Sequence, residues 1–308
     1  MALLDQRVLT ILKVDELGSF TKAADALCLT QPAVSQQVKS IENELDIKIF
    51  EREQKTVRLT KNGEVALKYI KRLVSISNNM VQAIKDEKMR VTSLAVGITH
   101  TVESSTIIEA IAEFTRDNQG VSIKIVSDTA ENLHRMLRND ELDFLIIEGR
   151  LDDSDLNYTM LGTDSLVLVT SPTHRLASRK AVTIEDLKKE NLILRLPNSN
   201  TRYTFEKSLR KQNLHVDDFN VILEIENIAT IKDLIRRDFG VSILAKSTCM
   251  DELKKGKIAV QDIEHLSMVR EINIVSMNSF EHPEVIQGII DRYRAFGECI
   301  YDFHLKKE

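Results

Sequence analysis

Apolar residues recur at helical spacing through the first sixty positions. Leu4, Val8, Ile11 and Leu12 lie on one face of a first helix. Gly18-Ser19 breaks that run, and Ser19 is placed to cap a second helix over Phe20–Leu27. A turn comes next at Cys28-Leu29. Thr30 then caps a third helix, running to about Leu45, with Pro32 in its first turn, where a missing N–H costs nothing. Val34, Val38, Ile41 and Leu45 share one face of it. Two short strand-like runs, 48–50 and 56–59, flank a polar tip. From Thr60 or Asn62 the pattern predicts one long helix to about residue 88. Its apolar positions Val65, Tyr69, Leu73, Ile76, Met80 and Ala83 are spaced by threes and fours, the seam of a coiled coil, with Ser77 and Asn78 outside it. A helix this long and this polar on its other faces needs a partner. It is read as a dimerising helix and as the link between the N-terminal module and the rest of the chain.

Beyond Ser93 the period changes. Strand-like runs at 94–98, 122–126, 144–147 and 166–170 alternate with helical runs at 107–116 and 132–138. The rhythm continues through 184–187, 192–194, 202–212, 221–226, 228–236 and 241–244, then 272–276 and a last helix over 284–300. Alternation of this kind predicts parallel sheets with helices on both faces, and the length suffices for two. Ligands of such open sheets bind beyond the C-terminal ends of the strands.

Charge sharpens the division. Net charge is −5 overall, which alone speaks against a polyanion binder. Residues 1–90 nonetheless carry a net +3 and the remainder −8, and eight of the bases fall within 48–72. A basic module on an acidic partner domain suits nucleic acid. Apolar runs are all far shorter than the roughly 20 residues of a membrane span. Asp5, Arg7, Lys13, Asp15 and Glu16 interrupt any signal-peptide core, so a cytoplasmic location without membrane attachment is expected. Cys28, Cys249 and Cys299 form no CxxC pair and read as reduced and mostly buried, Cys28 in the core and Cys249 in a surface turn.

The spacing of Ala23, Ala24, Leu27, Leu29, Val34 and Val38 fits two helices crossing steeply through a short turn, a helix–turn–helix. Its third helix turns Gln31, Ser35, Gln36 and Lys39 outward. Glutamine pairs bidentately with adenine, serine donates or accepts, and lysine reaches guanine or phosphate. Arg52, Lys55 and Arg58 would make the adjoining hairpin a wing that touches the backbone.

The run Phe20-Thr-Lys-Ala-Ala-Asp-Ala-Leu27, then Leu29-Thr-Gln-Pro-Ala-Val-Ser35, Gln37, Ile41-Glu42, Phe50-Glu-Arg52 and Leu59-Thr60, resembles the DNA-binding domain of LysR-type transcriptional regulators. The likeness extends over the whole length. Two departures occur: Lys55 stands where the family usually has Arg, and Asn62-Gly63 replaces Ala-Gly. The resemblance implies an α/β protein with a winged helix–turn–helix over 1–60 and a dimerisation helix over 61–90. An effector domain over 91–308 would complete it, made of two α/β subdomains like those of periplasmic binding proteins, one of about 91–163 with 269–308 and one of about 164–268. The resemblance implies contacts to double-stranded DNA from Thr30, Gln31, Pro32, Ser35, Gln36, Lys39, Arg52, Lys55 and Arg58, and assembly as a homodimer or homotetramer. It also locates a cleft for a small anionic effector. Thr99, His100 and Thr101 would end its first strand, Thr129 the next, and Ser199, Asn200, Thr201, Arg202 and Thr230 would start helices on the other side. Arg202 adds charge there or pairs with an acid, and His100 reads the effector or bonds locally.

No Walker loop, GxGxxG, GxSxG or HExxH occurs, and the seven histidines show no metal-ligand spacing. No cofactor, metal or catalytic residue is expected, and redox sensing through Cys249 has no support in the sequence. Two other readings remain, a solute-binding protein for uptake and a cytosolic enzyme or binding protein acting on a small anion. The first lacks a signal peptide, and the enzyme lacks a nucleophile, metal site or cofactor loop.

Overall fold

A computed structural model describes residues 4–53 and 56–305, with side chains over 4–51 and 57–295. Lys55 and the side chain of Arg52 lie outside the described residues. The chain divides into two compact units, one running to Ser93 with Arg138–Glu141, the other comprising Leu94–Leu137 and the chain from Leu142.

The first unit opens with three short helices, α1 (Gln6–Leu17), α2 (Phe20–Leu27) and α3 (Gln31–Leu45). Ser19 and Thr30 cap α2 and α3 as expected, accepting from the amides of Lys22 and Ala33. The cap of α1 is Asp5, which accepts from Arg7 N at 2.9 Å. Ile11, Val14, Ala23, Ala24, Val34 and Val38 close one core, and the small alanines let the helices cross closely. Cys28 is not in that core. It is exposed, at φ 56° in the left-handed region, where it ends α2. The hairpin β1 (Phe50–Glu53) and β2 (Thr56–Leu59) is antiparallel and starts two residues later than its apolar run, because Lys48 and Ile49 are used to anchor it. The buried Glu42 carboxylate at the end of α3 accepts from the amides of Ile49 at 2.8 Å and Phe50 at 3.3 Å, and pairs with Lys48 at 2.9 Å. Thr60 caps α4 (Lys61–Met89). Gly63 in its first turn lies against the base of the hairpin, where a Cβ would sit 2.0 Å from the Ile49 carbonyl oxygen.

The second unit contains β3 (Thr92–Thr99), α5 (His100–Glu103), α6 (Ile107–Asp117), β4 (Val121–Asp128), α7 (Ala130–Arg138), β5 (Phe144–Glu148) and β6 (Leu156–Thr170). It continues with β7 (Ala181–Val182), α8 (Ile184–Leu187), β8 (Asn191–Arg195), α9 (Asn200–Arg210), β9 (Asn220–Ile225), α10 (Ile228–Arg236), β10 (Ser242–Ala245), α11 (Met250–Lys254), β11 (Ala259–Ile263), β12 (Val269–Met277) and α12 (Pro283–Leu305). The sheet order is β4-β3-β5-β12-β6-β11-β7, with β10 also on β6, and β8 pairs with β9.

The sheets are mixed rather than parallel. β3 with β5 and β8 with β9 are parallel, whereas β12 runs antiparallel to both β5 and β6. The reason is the chain path: β6 carries the chain out of one lobe and β12 brings it back. The core changes along these two strands. Leu161 and Ile272 belong to the cluster of Ile98, Phe114, Phe144 and Ile289, while Leu166 and Met268 belong to that of Leu168, Leu194 and Phe205. The sequence pattern shows only the second, apolar half of β6. Its first half is partly exposed, and its middle carries Gly162, Thr163 and the buried Asp164. α12 seals the first lobe by lying on α6, and Gly288 permits this, since a Cβ there would be 2.2 Å from the Phe114 ring.

Candidate functional site

Two constellations carry chemistry, one in each unit. In the first, the fold presents one side of α3. Val34, Val38, Ile41 and Glu42 are buried, which turns the opposite side outward. Thr30, Pro32, Gln36 and Lys39 are exposed, and Gln31 and Ser35 half-buried. Among the described residues, none hydrogen-bonds to the side chains of Gln31, Ser35, Gln36 or Lys39. Gln37 differs, for it accepts from Thr10 Oγ1 at 2.6 Å and so belongs to the packing of α1 on α3. Arg58 is exposed on β2, opposite Glu51.

The second constellation lies where the two lobes of the second unit meet. Thr99 ends β3. Its hydroxyl accepts from Val102 N and donates to Glu148 Oε2 at 2.8 Å. Thr101 Oγ1 stands 3.4 Å from Thr201 Oγ1 in the first turn of α9. Asn200 Nδ2 donates to the Glu148 carbonyl at 2.9 Å, and Ser199 caps α9 by accepting from Arg202 N. His100 sits 3.7 Å from Glu226 and 3.8 Å from Glu103. These residues therefore come together.

Three further predicted positions are engaged in bonds within their own segments or lobe. Arg202 is committed within its own lobe: Nε donates to Glu206 at 2.6 Å, and one terminal nitrogen donates to Glu224 at 2.9 Å and to the Arg195 carbonyl. Thr230 turns both its amide and its hydroxyl toward Asn227. Thr129 accepts from Asn132 N beside Asp128. Burial works to raise the Asp128 carboxyl, but hydrogen bonds from Asn132 and Thr129 outweigh it and hold that group below the usual carboxylate range.

Sequence reasoning missed the charged centre of the cleft. Glu148, Arg195 and Arg270 are 4%, 3% and 7% exposed. An Arg270 terminal nitrogen lies 3.3 Å from Glu148 Oε1 and 3.7 Å from Asp164. Asp164 is itself held by the Ser247 hydroxyl at 2.8 Å. Nε and one terminal nitrogen of Arg195, and all three guanidinium nitrogens of Arg270, lack a hydrogen bond among the described residues. Burial pulls the Arg195 guanidinium below the usual arginine value, against the support of Glu148 and Glu226, and the Arg270 charge adds to the pull. Buried donors of this kind require an anionic or polar partner. The available signal was a charge inside an apolar strand, as Arg195 is within Leu192-Ile-Leu-Arg-Leu196 and Glu148 is at the end of Phe144-Leu-Ile-Ile.

Cys249 is buried rather than in a surface turn, and burial pushes its thiol up to about 11, the reverse of a reactive thiolate. Among the described residues there is no group of three or more His, Cys, Asp and Glu able to hold a metal, and no helix long and apolar enough to cross a membrane.

A helix–turn–helix with an outward third helix and a hairpin, joined to a two-lobed α/β domain, defines a DNA-binding regulator that carries its own sensor domain. Residues 6–64 match the bacterial regulatory helix-turn-helix protein, lysR family, and residues 89–297 match the LysR substrate binding domain. The chain belongs to the LysR family of transcriptional regulators. It is 28% identical over 284 residues to the transcriptional activator CmpR of Synechocystis sp., covering 92% of each chain. It is 29% identical over 265 residues to the regulator CfxR of Cupriavidus necator, covering 85% of this chain and 82% of that one. Among solved structures, CbnR, a LysR family transcriptional regulator, shares the fold with a TM-score of 0.69 at 15% identity, over 94% of this chain and 98% of CbnR. The Synechocystis CcmR regulatory domain in complex with 2-PG shares it with a TM-score of 0.58 at 22% identity, over 66% of this chain and 96% of that domain.

Proposed function

We propose that this regulator reads DNA through Gln31, Ser35, Gln36 and Lys39. Thr30, Pro32 and the basic wing residues Arg52, Lys55 and Arg58 then set the register on the phosphates. The observation that carries this reading is the outward side of α3, whose polar side chains have no partner among the described residues while its opposite side is buried. Base edges need such free bidentate groups on a rigid element. The second unit senses a small anion between its lobes, with Thr99, His100, Thr101, Ser199, Asn200 and Thr201 around Arg195 and Arg270. CcmR in complex with 2-PG is a precedent for a small ligand in a domain of this fold. The exposed seam of α4 supports assembly as a dimer or a dimer of dimers. The protein works without catalysis, in the cytoplasm, and ligand binding alters how the assembly holds or bends promoter DNA.

A mobility-shift assay on the DNA upstream of its own gene tests the reading. Wild-type protein retards that duplex at low salt. Gln36→Ala costs about 1–3 kcal/mol of discrimination between this duplex and a scrambled one. Arg58→Ala weakens both duplexes and lowers the salt slope by about one. Absence of retardation at low salt, or equal effects of the two variants on both duplexes, overturns the assignment.

A further inference from the structure

Glu148 is the residue on which the cleft converges. Its carboxylate takes the Thr99 hydroxyl in one lobe and faces Arg270 at the start of β12, and its carbonyl takes Asn200 at the start of α9 in the other lobe. The ion pair is incomplete. Arg270 lies at 3.3 Å without hydrogen-bond geometry, and Glu148 Oε1 has no hydrogen bond among the described residues. Two carboxylates thus face a buried arginine, but Asp164, at 3.7 Å, is held by Ser247, and Glu148 is the one whose facing oxygen makes no other bond among the described residues. That arginine could hold an oxyanion bidentately, with a second buried arginine, Arg195, close by.

We propose that Glu148 is a resident stand-in for the effector's anionic group. A small oxyanion, carboxylate or phosphate, takes Arg270 and Arg195 in its place. This deepens the proposed sensing role and rests on it. Displacement ties ligand binding to the first lobe, because the carboxylate that must give way also anchors Thr99, the cap of α5, whereas the Glu148 carbonyl that holds Asn200 stays in place. It also sets selectivity. A ligand must offer the arginines a better fit than the protein's own carboxylate and must tolerate that negative charge nearby, so weak, singly bonding anions such as chloride are rejected.

Titration calorimetry and thermal shift on the full-length protein test this, with inorganic phosphate, sulfate and succinate as probes. Glu148→Gln removes the competing charge and should bind the best probe at least about tenfold more tightly than wild type. It should also melt lower than wild type in probe-free buffer and recover saturably as probe is added, because the probe replaces the missing carboxylate. Glu148→Asp keeps the charge but withdraws it by one methylene. It should give an intermediate affinity, and it covers the case in which the Gln variant does not fold. Arg270→Gln should weaken the probe at least about tenfold, and Arg195→Gln should act in the same direction. If the arginine variants weaken binding while both Glu148 variants bind no better than wild type, the stand-in role is wrong and the anion cleft stands. If a probe binds and only Thr101→Val or Thr201→Val weakens it, the anion sits elsewhere in the cleft and the proposal is overturned. If no probe binds wild type or either Glu148 variant, anion sensing itself falls.

Discussion

A single carboxylate decides how the wing is held. Glu42 is buried, accepts two backbone amides and pairs with Lys48. Burial raises its carboxyl, and Lys48 with the Ile49 and Phe50 amides outweighs it, so the group lies below the usual glutamate range. A carboxyl lowered by folding contributes stability that is fully present above its unfolded value and is lost as pH falls through its folded value. Protection of the Ile49 and Phe50 amides from hydrogen exchange, corrected for the intrinsic rate, should therefore fall on acidification below the usual glutamate range and stay flat from there to neutrality. Glu42→Gln should lose about 1–3 kcal/mol of that protection at neutral pH and flatten the acid limb. Protection unchanged in the variant would show that the bond network is incidental. The residues also show what a sequence conceals. Ser19 and Thr30 are legible as caps because a hydroxyl before an apolar period has one obvious use, while Thr60 is legible only as one of two starts, beside Asn62. The cysteines are not, since burial of a small sulfur depends on neighbours far along the chain, and both placements came out reversed. Arg195, Arg270 and Glu148 escaped because their role comes from burial together.

At the scale of elements, helices and strands with a regular period were legible, and the strand linking the lobes was not. β6 shows an apolar run only in its second half, because its partly exposed first half carries Asn157 and Thr159 and its middle, where it passes between the lobes, carries Gly162 and Asp164 where a core strand would carry aliphatic residues. α4 is legible from end to end, and it makes two predictions. Glycine to alanine inside a helix ordinarily gains up to about 1 kcal/mol. At Gly63 the sign reverses, because the new methyl would fall within 2.0 Å of the Ile49 carbonyl oxygen, a backbone atom that cannot step aside alone. Gly63→Ala should cost about 1–3 kcal/mol or more. It should lower the thermal transition of the first unit and weaken DNA binding, and a stabilised variant would refute the packing. The second prediction concerns the seam. Val65, Tyr69, Leu73, Ile76 and Met80 are each about half exposed in the single chain, on a helix of 29 residues. An apolar stripe left in water on so long a helix belongs against another helix. Leu73→Glu with Ile76→Glu should shift the protein to monomer in sedimentation velocity and abolish retardation of a two-half-site duplex. A variant that stays oligomeric would place the assembly contacts elsewhere.

For the whole molecule, the order of residues along the chain and the order of contacts in space differ. The first lobe of the second unit draws its core from both ends of that unit. Ile98, Phe114 and Phe144 come early, and Ile272, Ile274, Ile289 and Ile290 come late. The second lobe lies between them in sequence, its core bounded by Leu166 and Met268. A chain emerging from the ribosome can therefore finish the second lobe while the first still waits for its last strand and helix. The half-built lobe, with its apolar surface exposed, should be the segment most prone to aggregate during synthesis. A stop codon placed late in the gene would spare the lobe encoded in the middle and destroy the one that was begun first.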